Sequence, residues 1–288
     1  MQDKNQSLFL DFLGGPQPFS HLPRLDLTSY AEELSYATRM KTFQSFAKFL
    51  TPQLGQKRFI YLGNGDFHHL SYLLLKNTSL PKIHLVLFDN HPDNMFYPLG
   101  IHCGSWVYHA ARLPHVEHVS IIGLTSNDLD GANVWQNHYA PIRSGKIHYY
   151  AFKKTGRIVK FLSKGNIHNW QDNLNHLPQA VSALVQEIAL PVYLSIDKDV
   201  CLKKELPTNW DQGILSSSLL LQCVKEIMPK VAALDFTGDP SHYRSRNRLK
   251  HFLRSLDDDG DNGAEGPTQG RELHLNFEQE LWQIFSGL

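Results

Sequence analysis

A chain of 288 residues is long enough to bury a full core, as one large domain or two small ones. Its 42% hydrophobic and 19% charged residues are those of an ordinary globular protein, and 28 Lys+Arg against 28 Asp+Glu leave a formal net charge of zero. That balance argues against a nucleic-acid or anionic-membrane partner, and no apolar stretch reaches the ~20 residues of a bilayer span.

The N-terminal "MQDKNQSLFLDFLGG" carries an apolar patch broken by Asp11, too short and too acidic for a signal peptide. The first fifty residues leave two readings open, a lid or an opening strand. From there, continuous apolar runs recur: 58–64, 82–89, 118–124, 146–152, 190–197 and 230–236. Such runs predict strands buried on both faces, as in parallel sheets covered by helices. Helical patterns lie between them at 69–77, 178–189 and 216–229, and "LNFEQELWQIFSGL" predicts a final amphipathic helix. The alternation predicts one α/β domain over 1–288, a three-layer α/β/α sandwich around a mostly parallel sheet. The acidic, Gly-rich 256–270 is out of register with an EF-hand and reads as a mobile surface loop. Cys103, Cys201 and Cys223 form no CxxC pair, so no disulfide framework is expected and the reducing cytoplasm is the expected compartment.

Three of the runs end in groups that bind metals. "LFDNHPDN" places Asp89, His91 and Asp93 at the end of one strand, where ligands gather in open α/β sheets. A polar turn with Asp or Asn capping would explain that segment alone. "YLSIDKDV" ends in Asp197 and Asp199, whose i, i+2 spacing puts both on one face of an extended chain, with Lys198 directed to the other. Carboxylates that close repel unless a cation lies between them or one is protonated. "YLGNGDFHHLSYLLL" adds His68 and His69 at a strand-to-helix junction. Oxygen-rich ligands with a minority of imidazoles favour Mn²⁺ over zinc, and four carboxylates with two imidazoles suffice for two ions sharing bridging aspartates roughly 3.5–4 Å apart.

"GNGDFHHLS", "DNHPD" and "SIDKD", in that order, resemble the Gly-Gly-Asp-His-Ser, Asp-Ala-His-x-Asp and Ser-x-Asp-x-Asp signatures of the arginase/agmatinase (ureohydrolase) superfamily. The resemblance covers roughly 58–240. It implies an α/β/α sandwich and two Mn²⁺ ions, held by Asp89, His91, Asp93, Asp197, Asp199 and one of His68 and His69. The extra residue in the first motif leaves that last choice open, with His68 favoured. It also implies a metal-bridging hydroxide as nucleophile, acting beside Asp89. "GIHCGSW" resembles the segment that supplies the family's substrate-side or proton-shuttling histidine, which makes His102 the candidate acid/base; an ordinary loop histidine is the alternative. By analogy, a small-molecule substrate and a homo-oligomer are expected.

Two departures bear on substrate. The family's late Asp-x-x-Glu-Val-x-Pro segment, whose Glu grips a guanidinium, corresponds to "LDFTGDPS", with Gly238 at the Glu position and Asp239 beside it. The Asp-Pro after the third motif is replaced by "VCLKKELPTNWDQG", where Trp210, Asp211 and Gln212 are candidates to line a pocket; a Trp anchoring the loop is the alternative. The expected activity is hydrolysis of a linear carbon–nitrogen bond in a substituted guanidine, amidine or amide. A metal-dependent phosphoester hydrolase and a non-catalytic binding protein are the competing readings.

Overall fold

The computed structural model describes residues 6–14, 22–241, 243, 245–247, 250 and 267–287. Its strands are β1 Ser7–Asp11, β2 Arg24–Asp26, β3 Ala37–Thr38, β4 Phe59–Asn64, β5 Ile83–Phe88, β6 Ile101–His102, β7 Val116–Leu124, β8 Ile147–Ala151, β9 Ile167–Asn169, β10 Val192–Asp197 and β11 Val231–Asp239. Nine of them form one sheet in the order β2-β1-β4-β11-β10-β5-β7-β8-β9, and every neighbouring pair is parallel. The short β3 and β6 pair antiparallel apart from it.

The layering follows from side-chain alternation. All six positions of β5 and of β10 are buried, as strands covered on both faces require. Leu85 and Leu87 enter one core, while Val86 and Phe88 enter the other. The first core is closed by helices Met40–Leu54, Leu70–Lys76 and Trp106–Ala111. The second is closed by Leu177–Glu187, Ser217–Ile227 and Pro267–Ser286. Helix Ser217–Ile227 shows why these segments are helical. Ser216 Oγ caps it by accepting from Leu219 N at 3.2 Å, and Leu220, Leu221, Cys223, Val224 and Ile227 form its buried stripe.

The six expected strands are β4, β5, β7, β8, β10 and β11. The N-terminal segment resolves as opening strands: β1 lies between β2 and β4, with Leu8 and Leu10 in one core and Phe9 in the other. The final helix begins at Pro267, inside the stretch expected as loop, and the rest of that stretch falls outside the described residues. The three cysteines are buried and free. No helix among the described residues is long and apolar enough to cross a membrane.

Candidate metal centre

Because the sheet is parallel, the carboxyl ends of β4, β11, β10 and β5 open on one edge, and the three motifs meet there. After β4, Asn64 Oδ1 accepts from Asp66 N at 2.9 Å and starts a 3₁₀ turn that delivers His68 and His69. After β5, Asp89 Oδ1 accepts from His91 N at 2.7 Å, while Asp93 sits at φ +45° and its Oδ2 accepts from Trp106 Nε1 at 2.6 Å. After β10, Asp197 Oδ1 accepts from Asp199 N at 3.0 Å.

Two imidazoles address the carboxylates from opposite sides. His68 Nδ1 lies 3.2 Å from Asp93 Oδ2, 3.2 Å from Asp197 Oδ2 and 3.5 Å from Asp89 Oδ2. His91 Nδ1 lies 2.9 Å from Asp199 Oδ2 and 3.7 Å from Asp89 Oδ1. Asp89 thus offers one oxygen to each imidazole, and both His68–Asp89–Asp93 and Asp89–His91–Asp199 have the geometry to hold an ion. His69, one residue on, turns away: it is fully buried, its ring 5.9 Å from Phe43. Burial, followed by the charges of His102, Lys250 and His68, pushes its pKa well down.

The electrostatics are those of a cage short of positive charge. Burial, then Asp93, Asp199 and Asp197, drive the Asp89 carboxyl well up. Asp199 is pushed up to about 6 by burial and Asp197. Burial opposes the His68 imidazolium, but Asp197 and Asp93 outweigh it and hold its pKa high. Among the described residues no hydrogen-bond donor reaches the buried Asp89 Oδ2. Crowded carboxylates and an unsatisfied buried oxygen fit a divalent cation.

A layer behind the cage fixes the tautomer. Tyr193 OH donates to Asp235 Oδ2 at 2.6 Å, and Ser71 and Ser195 hydroxyls donate to Asp235 Oδ1 at 3.0 and 2.7 Å. Ser195 has no second proton, so at its 3.2 Å contact with His68 Nε2 the imidazole is the donor. That leaves the lone pair of neutral His68 on Nδ1, the atom facing the carboxylates, the arrangement a metal-binding histidine needs. The motif reading included Ser195, the first residue of "SIDKD", without giving it a role, and missed Asp235; the available signal for the latter was an aspartate inside the otherwise apolar run "KVAALDF".

The candidate substrate residues divide. The Trp210 ring lies 6.5 Å from His91 and parallel to Tyr36 at 6.1 Å, over Gly65, where a Cβ would come within 3.1 Å of the indole. Asp211 accepts from Asn90 Nδ2 through its carbonyl at 3.0 Å and Oδ2 at 3.4 Å, beside the cage. Gln212 instead braces its own loop, donating to Cys201 and Leu206 carbonyls. Asp239 faces away from the cage, where it accepts from Lys198 Nζ and Tyr61 OH. His102 lies in the aromatic wall, its ring edge-on to Tyr36 at 4.3 Å. Its Nδ1 accepts from Gly104 N at 2.9 Å, and burial pushes its pKa down to about 3, so it is neutral with its proton on Nε2. Tyr36, which no motif announced, holds φ +65° through Tyr36 N to Asp66 O and Cys103 N to Tyr36 O, both 2.9 Å. Gly238 sits at φ +105°, where a Cβ would lie 2.7 Å from Asp197 Oδ1 and 2.8 Å from Lys198 N.

No protein-family model matches the sequence. A curated relative, an uncharacterized protein of Thermotoga maritima, is 30% identical over 183 residues, 62% of this chain and 57% of that protein, so the match spans little more than half of the relative's length. Among solved structures, proclavaminate amidino hydrolase from Streptomyces clavuligerus superposes with a TM-score of 0.56 at 16% identity, covering 95% of this chain and 79% of that one. Arginase from Bacillus subtilis gives 0.54 at 12% identity over 90% and 84%. Formiminoglutamase of Trypanosoma cruzi, solved with Mn²⁺, gives 0.51 at 12% identity over 92% and 77%. The chain therefore has the arginase/ureohydrolase-like α/β fold. At identities of 12 to 17% it is a divergent example of that fold.

Proposed function

We propose that the chain is a cytoplasmic, single-domain, manganese-dependent hydrolase of a linear carbon–nitrogen bond in a small substituted guanidine, amidine or amide, working as a homo-oligomer. The carrying observation is that Asp89 divides its two oxygens between the His68 and His91 clusters. His68, Asp89, Asp93 and Asp197 would hold one ion, and His91, Asp89, Asp197 and Asp199 the second. A pair of divalent cations there supplies an acidified water, a nucleophile at neutral pH.

The chain's own groups do the rest. Ser195 and Asp235 keep the His68 proton on Nε2, so that Nδ1 faces the cage. Trp210 and Tyr36 shield the cage from bulk water and present a flat wall to the substrate. His102 enters as a hydrogen-bond donor through Nε2, because Gly104 N already occupies Nδ1. Asn90 and Asp211 form the polar side of the mouth, next to His91. The resemblance to manganese-bearing relatives of the same fold supports this reading. So does the unsatisfied Asp89 oxygen.

Metal analysis of the reconstituted protein should find about two equivalents of manganese. A panel of guanidino compounds, amidines and amides is then scored for manganese-dependent release of urea, ammonia or amine, with Asp89→Asn as the inactive control. Little bound metal would favour a non-catalytic binding protein, and release of inorganic phosphate from phosphoesters would move the assignment to that chemistry.

A further inference from the structure

At the opposite end of the sheet from the cage, four adjacent strands each place a histidine on one face. His84 on β5, His118 on β7, His148 on β8 and His168 on β9 share the face of Val86, Ile122 and Tyr150. The register aligns them: His84 opposite His118, Ser120 opposite His148, Tyr150 opposite His168. Neighbouring strands run about 4.8 Å apart, and the rings of His84 and His118 lie 5.7 Å apart, those of His148 and His168 5.6 Å. His84 is buried with Nε2 on Ser120 Oγ at 2.8 Å; His148 and His168 are half-buried and His118 is exposed.

The outer pair has the atoms of a chelate. His148 Nε2 donates to Gly145 O at 3.0 Å, which leaves the lone pair on Nδ1, and that atom faces His168 Nε2 at 3.3 Å. A backbone carbonyl that fixes the tautomer is the usual support of a metal-binding histidine. Without an ion this contact is a hydrogen bond that His168 Nε2 donates, and its 3.3 Å length equals the edge of about 3.3 Å between two nitrogens bound tetrahedrally at ~2.0–2.1 Å, so an ion could replace the shared proton with little movement of either ring.

We propose that His148 and His168 chelate a borderline divalent ion, Zn²⁺, Ni²⁺ or Cu²⁺, with water completing its coordination. All-nitrogen ligands select such ions, whereas the carboxylate-rich cage selects manganese. The two sites therefore sort metals by chemistry, and this one stands whether or not the cage is catalytic.

The test titrates manganese-loaded protein with Zn²⁺ and with Ni²⁺ by calorimetry. One equivalent beyond the cage is expected, weakened about tenfold or more in His168→Ala and in His148→Ala and kept in Asp89→Asn, with manganese content unchanged in both histidine variants. A wild-type protein that takes up no further ion, or binding that survives His148→Ala/His168→Ala, would overturn the site. Binding lost in Asp89→Asn would place the ion in the cage instead and overturn it equally.

Discussion

Lys198 Nζ donates to Glu278 Oε1 at 2.6 Å, so the residue between two cage carboxylates is tied to the C-terminal helix rather than to its sequence neighbours. Lys198 is fully buried and also donates to Asp239, whose carboxyl burial pushes up to about 8; burial raises Glu278 to about 7. Lys198→Met removes the cation from buried Glu278 and part-buried Asp239. The expected cost is about 3–5 kcal/mol, with reduced manganese occupancy, because the turn carrying Asp197 and Asp199 loses its anchor. Thermal melting and metal content measure both; an unchanged metal ratio in a folded variant would detach the helix from the cage.

His68 and His69 differ by one residue and should differ completely in metal content. His68→Ala is expected to lose about one equivalent of manganese. His69→Ala should keep the metal while costing roughly 1–3 kcal/mol of stability from packing against Phe43. Elemental analysis of the two purified variants decides it, and the reverse pattern would sink the ligand assignment.

Manganese should bind more weakly as pH falls. In the metal-free protein both His68 and His91 have pKa values raised well above the ordinary imidazole range: burial opposes their charge, but Asp197 and Asp93 around His68, and Asp199 around His91, outweigh it. A raised folded-state pKa gives stability that is fully present below the unfolded value of about 6.5 and is lost as pH rises through the folded one. Metal-free protein therefore weakens toward alkaline pH, while the ions must displace the same protons to bind. The melting-temperature gain from manganese is expected to widen from pH 6 to pH 9, with protons released on binding; a gain independent of pH would contradict it.

Gly238 is required by its neighbours. At φ +105° any side chain is strained, and a Cβ would lie 2.7 Å from Asp197 Oδ1. Gly238→Ala should cost about 2 kcal/mol or more and displace Asp197, lowering manganese occupancy. A carboxylate grafted there, Gly238→Glu, should not raise guanidine hydrolysis above the wild-type level, because the backbone leaves it no room. Urea release by Gly238→Glu faster than by the wild-type chain would refute the point.

Much of the centre was legible in the sequence. Strand ends in "LFDNHPD" and "LSIDKD" carry their chemistry within a few residues, and a parallel sheet brings strand carboxyl ends to one edge, so the register of each motif fixes where Asp89, His91, Asp93, Asp197 and Asp199 go. The strands beneath them were legible for the same local reason, being continuous apolar runs. The N-terminal β1 was not, since its five residues mean little until β2 and β4 pair with them.

What only tertiary structure decided involves residues far apart in the chain. Whether His68 or His69 faces the carboxylates depends on the turn begun by Asn64, and the His68 proton depends on Ser195 and Asp235, more than 120 residues away. Asp239, expected at the substrate, instead pairs with Lys198, because a buried ammonium needs a carboxylate beside it. The sequence by itself determined which groups the strand ends would offer, for that is a matter of local alternation and length. Which of them meet, and with what protons, was settled by long-range packing, because hydrogen-bond partners and burial are properties of neighbours the chain acquires only on folding.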